Sequence, residues 1–132
     1  MRKNIVAGNW KMNNDLAATK TLISELIELK KSSNAEIMVA PTFVNLLEAS
    51  KLLKETSIKV VSQNMHYAES GAFTGEISCR MLKDVGCNWV LIGHSERRTI
   101  FLESYKMINK KLLIAINEGI NPILCIGETL IE

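Results

Sequence analysis

Cysteine is scarce in this 132-residue chain and poorly placed for chemistry. Cys79, Cys87 and Cys125 are odd in number and form no C-x-x-C pair, which argues against a disulfide framework or a zinc site. A reducing, cytoplasmic setting is expected. Excess charge is equally scarce. A formal net charge of +2 is too small to point to nucleic acid or a membrane surface. No apolar run approaches the roughly 20 residues that span a bilayer. The apolar segment behind the basic start, Ile5-Val6-Ala7, is far shorter than the core of a secretory signal. The basic pairs Lys30-Lys31 and Lys110-Lys111 fall on expected helices and read as solvated faces.

The composition is that of a globular domain, with 47% hydrophobic and 23% charged residues. The length suits one domain, and no linker or residue-level repeat divides it. Apolar runs begin near residues 5, 37, 59, 89 and 122. Each is apolar along most of its length instead of alternating, as in strands buried on both faces of a parallel sheet. Helical spacing fills the intervals. Leu16, Ile23, Leu26 and Ile27 form one stripe, with Asn14 or Asp15 as its cap. Phe43, Leu46, Leu47 and Leu53 form a second behind Thr42. A short helix is expected between Ser78 and Gly86. Ile108, Leu112, Ala115 and Ile116 form the last stripe, between Ser104 and Gly119.

The order is β-α repeated five times without the final helix: five strands and four helices. Two architectures accommodate it, an open doubly wound sheet and an arc of a (β/α)8 barrel. The aperiodic stretch from Gln63 to Ile77, with Gly71 and Gly75, is longer than filler loops usually are.

In both architectures ligands bind where the loops leave the C-terminal ends of the strands. Those positions hold Asn9 and Lys11, Pro41, Gln63 and Asn64, then His94, Ser95 and Glu96, and finally Glu128. A lysine, an amide and a histidine facing one pocket suit a small anionic substrate whose carbonyl is to be polarised. Singly, each has a plainer reading. Lys11 is a surface lysine, His94 satisfies loop backbone, and Glu96 pairs with Arg97 or Arg98 at the surface. Trp10 and Trp89 are packing groups, and Cys125 is a small buried hydrophobe. The functional reading rests on their convergence.

Four stretches carry a resemblance. Ala7-Gly8-Asn9-Trp10-Lys11-Met12-Asn13, Gln63-Asn64 with Gly71-Ala72-Phe73-Thr74-Gly75-Glu76, Gly93-His94-Ser95-Glu96-Arg97-Arg98, and Cys125-Ile126-Gly127-Glu128 resemble, in order, the N-terminal part of the triosephosphate isomerase family. The resemblance implies a TIM barrel represented by residues 1–132, a single incomplete domain truncated to five strands. It implies interconversion of dihydroxyacetone phosphate and D-glyceraldehyde 3-phosphate through an enediolate, in glycolysis and gluconeogenesis, with neither cofactor nor metal.

By the same resemblance Lys11 supplies positive charge, Asn9 orients the substrate, and His94 is a neutral electrophile and proton shuttle. A helix starting after His94 would favour that neutral form, because its amide-rich N-terminus disfavours imidazolium. Ser95 would contact the catalytic base at rest, and Glu96 would orient Lys11. Thr74, Gly75 and Glu76 would form a dimer loop, with Thr74 approaching Asn9 and Lys11 of the partner subunit in a homodimer.

A whole barrel takes about 250 residues. The family's base glutamate after the sixth strand, its lid and its phosphate loops match nothing in these residues. The 132-residue chain is therefore expected to be inactive alone, and to need an oligomer, a chaperone or the missing half for solubility. The alternative is a non-catalytic half-barrel that binds a phosphorylated small molecule or a partner chain.

Overall fold

A computed structural model describes residues 3–29 and 34–127. Its strands are β1 (Ile5–Asn9), β2 (Glu36–Ala40), β3 (Lys59–Val60), β4 (Trp89–Ile92) and β5 (Asn121–Leu124). Its helices are α1 (Leu16–Leu29), α2 (Leu46–Leu53), α3 (Cys79–Asp84), α4 (Ser95–Thr99) and α5 (Tyr105–Asn117). A single 3₁₀ turn, Phe43–Asn45, leads into α2.

β1, β2 and β3 pair in parallel, with Ile5 beside Glu36 and Met38 beside Lys59. β4 and β5 also pair in parallel, with Trp89 beside Asn121. Ser62 joins the two groups. Its N–H donates to the Trp89 carbonyl, and its carbonyl accepts from the Leu91 N–H, both at 2.8 Å. Spatial order thus follows chain order through all five strands. A doubly wound sheet would reverse direction at a switch point, so the arc of a (β/α) barrel is the architecture present.

Both sheet faces are covered, as the unbroken apolar runs imply. Successive strand side chains point to opposite faces. Val39, Val60, Val90 and Ile92 therefore pack with Ile23, Leu46, Ala49, Leu82, Ile108 and Ala115. Met38, Ala40, Val61 and Leu91 gather on the other side, with Trp89, Ile123 and Cys125 partly buried against them. Trp10 packs against the first cluster. The two edge strands depart from this. Ile5 is 46% and Val6 61% exposed on β1, and Leu124 is 41% exposed on β5.

The helices correct the expected stripes in one consistent way. Leu26 packs against the core while its neighbour Ile27 is exposed, and Leu46 is buried while its neighbour Leu47 is exposed. Ala115 is buried while Ile116 is exposed. Neighbouring residues sit about 100° apart around a helix, so only one of each adjacent apolar pair faces the sheet. The same geometry overturns the reading of Lys110-Lys111 as a solvated pair. Lys111 lies three residues after Ile108 and four before Ala115, on the buried face, and is only 2% exposed. Lys110 faces out, its Nζ 4.8 Å from the centre of the Tyr67 ring. Lys30 and Lys31 lie outside the described residues.

The described residues form five α-helices where four were expected, because α4 follows β4 at once and is too short to show a period. Asp15 caps α1, its Oδ1 accepting from the Ala18 N–H at 2.8 Å. Ser78 and Ser104 cap α3 and α5 in the same manner. Thr42 caps nothing with its side chain; its hydroxyl accepts from Asn45 Nδ2 at 3.2 Å. β3 is shorter than expected, since Ser62 leaves β2 to bridge to β4.

Candidate active site at the strand ends

The residues that leave β1, β3 and β4 meet in a cleft of about 250 Å³, lined among others by Asn9, Lys11, Gln63, Asn64, His94, Glu96 and Arg97. Larger hollows exist, of about 550 Å³ beside Lys59 and Trp89 and about 690 Å³ beside Arg80. The first lies at the starts of β3 and β4, where helix C-termini and their lysines meet. Neither gathers an amide, a cation and an imidazole, so the chemistry favours the smaller cleft.

Lys11 occupies a left-handed backbone conformation, φ +55°, which a residue with a side chain adopts only when its surroundings hold it there. Asn9 supplies part of that hold, its Oδ1 accepting from the Lys11 N–H at 3.0 Å. Gln63 supplies the rest. Its Nε2 donates to the Lys11 carbonyl at 2.8 Å and to the Ala40 carbonyl at 2.9 Å. The Lys11 side chain then reaches Glu96, with Nζ to Oε1 at 2.6 Å. Both side chains stay about half exposed, so the bond orients the ammonium without removing it from solvent. The Lys11 hydrogen bond holds the Glu96 carboxyl below the usual carboxylate range. The expected surface pairing of Glu96 with Arg97 or Arg98 does not occur. Arg97 pairs with Glu103, and Arg98 donates to the Gly93 and Cys125 carbonyls.

His94 is the N-cap of α4, and its Nδ1 accepts from the Glu96 N–H at 3.2 Å. The nearer carboxylate oxygen, Glu96 Oε2, is 3.6 Å from the same nitrogen, beyond hydrogen-bond reach. Accepting from an amide requires a lone pair on Nδ1, so the hydrogen-bond network assigns a neutral ring with its proton on Nε2. Nε2–H is then free to donate to a substrate oxygen.

Ser95 is exposed beside this cleft and does not line it. Thr74, Gly75 and Glu76 are exposed away from it, in the long loop between β3 and α3. That loop is internally braced. The His66 N–H donates to the Ile77 carbonyl at 2.8 Å, and its ring pairs with Glu76 at 3.0 Å and packs on Tyr67 and Phe73. Gly71 and Gly75 turn at positive φ, as their placement suggested. Glu128 lies outside the described residues. Sequence reasoning placed Gln63 after its strand but gave it no role. It did not single out Glu103 and read Lys111 only as part of a solvated pair, because neither follows a strand.

Comparison with known proteins agrees with the barrel-arc fold. The family model for triosephosphate isomerase matches residues 4–132. A triosephosphate isomerase of Dictyoglomus thermophilum is 53% identical over 97% of this chain and 52% of its own length. Those of Clostridium acetobutylicum and Flavobacterium johnsoniae are 51% and 52% identical, over 100% and 98% of this chain and 53% and 52% of their own lengths. The chain spans about half the length of the curated relatives it matches.

Proposed function

The chain belongs to the triosephosphate isomerase family, and from that premise we propose that it carries the electrophilic and cationic side of a triose-phosphate isomerase site. The observation that carries this reading is the meeting of Lys11, Asn9 and a neutral His94 in one cleft. The substrate pair is dihydroxyacetone phosphate and D-glyceraldehyde 3-phosphate. Lys11 supplies positive charge where the phosphate and the developing oxyanion gather. Asn9 orients the substrate oxygens while fixing the Lys11 backbone. His94 donates from Nε2 to the carbonyl oxygen, and its neutral form can pass that proton between the two oxygens of an enediolate. Ser95 and Glu96 are supporting groups.

A base must remove the carbon-bound proton, and Glu96, the one carboxylate that lines the cleft among the described residues, is committed to Lys11. A polypeptide of these 132 residues alone is therefore proposed to be inactive, as one incomplete barrel domain. The complete site acts in glycolysis and gluconeogenesis, in the cytoplasm, within a homodimer formed through the loop bearing Thr74, Gly75 and Glu76. That no free carboxylate lines the cleft among the described residues favours one other reading, a non-catalytic half-barrel that binds a phosphorylated small molecule or a partner chain.

A coupled assay of triose-phosphate interconversion separates these. The chain would be tested by itself and fused to the remaining part of the Dictyoglomus thermophilum relative. Activity only in the fusion supports the isomerase reading. A folded fusion without activity favours the binding reading, and turnover by the chain alone refutes the missing base.

A further inference from the structure

We propose that Lys111, which does not line the cleft, is a positioning residue for it. Its ammonium is buried on α5 and makes two hydrogen bonds. One goes to Asn64 Oδ1 at 2.8 Å and the other to Glu103 Oε1. The same Glu103 oxygen accepts from Arg97 Nε at 2.6 Å, and the Glu103 N–H donates to the Arg97 carbonyl at 3.0 Å. Asn64 and Arg97 are both cleft-lining residues, one from the loop after β3 and one from α4. One buried cation therefore fixes two walls of the cleft to the helix behind them.

The reach extends one step further. Asn64 follows Gln63, whose amide holds the Lys11 carbonyl. Asn64 itself is buried, its carbonyl accepting from the Ser62 hydroxyl at 2.6 Å and its side chain taken by Lys111. Lys11 is the strained residue of the site, and Gln63 is one of only two groups within the described residues that hold its backbone. Anchoring Asn64 thus keeps Gln63 in register with Lys11. A plain stabilising ion pair would need only Glu103. The bond to Asn64, on a different segment, gives Lys111 its positioning role. What the positioned Lys11 does rests on the isomerase reading; the geometry does not.

The test is a ¹H–¹⁵N NMR comparison of the chain with Lys111→Met and with Asn64→Ala. The second variant cuts only the arm toward Gln63 and leaves the Lys111–Glu103–Arg97 group paired. In both, the Gln63 side-chain amide pair should move to the positions of a free carboxamide. The Lys11 backbone amide should lose its native position, while Val39 and Val90 keep theirs. Unchanged Gln63 and Lys11 signals in folded Asn64→Ala would overturn the proposal, whether or not Lys111→Met folds. No substrate enters this measurement, so failure of the isomerase reading shows in turnover and failure of the positioning role shows here.

Discussion

Gly93 joins β4 to His94, and replacing it with alanine tests how tightly the site end of the sheet is built. Its φ is +73°, and an added Cβ would stand 2.7 Å from Arg98 Nη2 and 3.3 Å from Ile108 Cδ1. The conformational part costs an alanine about 1–2 kcal/mol. The steric part falls on Arg98, whose Nε donates to the Gly93 carbonyl at 2.6 Å and whose Nη2 donates to the Cys125 carbonyl at 3.0 Å. Moving the guanidinium aside forfeits at least one of these bonds, and hydrogen bonds to charged groups are worth about 1.5–3 kcal/mol. Gly93→Ala should therefore destabilise by about 2.5–5 kcal/mol, a large share of the roughly 5–15 kcal/mol of an ordinary domain. Urea unfolding followed by the fluorescence of Trp10 and Trp89 would measure it. In an Arg98→Met background the same substitution should cost only the conformational part, about 1–2 kcal/mol. A Gly93→Ala protein within about 0.5 kcal/mol of the parent, or equal costs in both backgrounds, would refute this reasoning.

Acid should act through Glu103. Burial works to raise its pKa, but Lys111 and Arg97 outweigh this and hold it below the ordinary carboxylate range. Its contribution to stability is then full above that range and lost as pH falls through the lowered value. Glu103→Gln should flatten the acid limb of a stability–pH curve, and an unaltered limb would contradict the pairing. Burial pushes the Cys87 thiol up to about 11, so at neutral pH its labelling by a thiol reagent should wait for unfolding; labelling of Cys87 as fast as a free thiol would count against its burial. The open edges of β1 and β5, with Val6 61% and Leu124 41% exposed, should promote self-association. Sedimentation velocity should show mass rising with concentration, and a monodisperse monomer would contradict this.

The strands were legible in the sequence because burial on both faces leaves unbroken apolar runs, and Met38-Val39-Ala40 shows both faces being used. The convergence of Asn9, Lys11 and His94 on one cleft was legible because Asn9 ends a strand and Lys11 and His94 follow one, and a parallel arc brings such positions together. Partner choice was legible only through the family resemblance, which paired Glu96 with Lys11, and not from the residues themselves. Lys11 finds Glu96 across 85 positions of chain, and no local pattern marks that bond over the nearer arginines. Lys111 looked solvated because a lysine beside a lysine suggests a wet face. Its place between Ile108 and Ala115 was the signal that could have identified it as buried. α4 was too short to be counted among the expected helices and entered only as a condition on the neutral form of His94, whose cap geometry depends on it.

The central claim is that His94 acts as a neutral donor to the substrate carbonyl, beside Lys11. The most direct measurement is the turnover rate of the fusion with the Dictyoglomus thermophilum half, compared with the same fusion carrying His94→Gln. Positioned proton donors contribute about 10²–10⁴-fold. A fall in kcat within that range, with the fold retained, is the expected result. A His94→Gln fusion that turns over at the parent rate would contradict the claim.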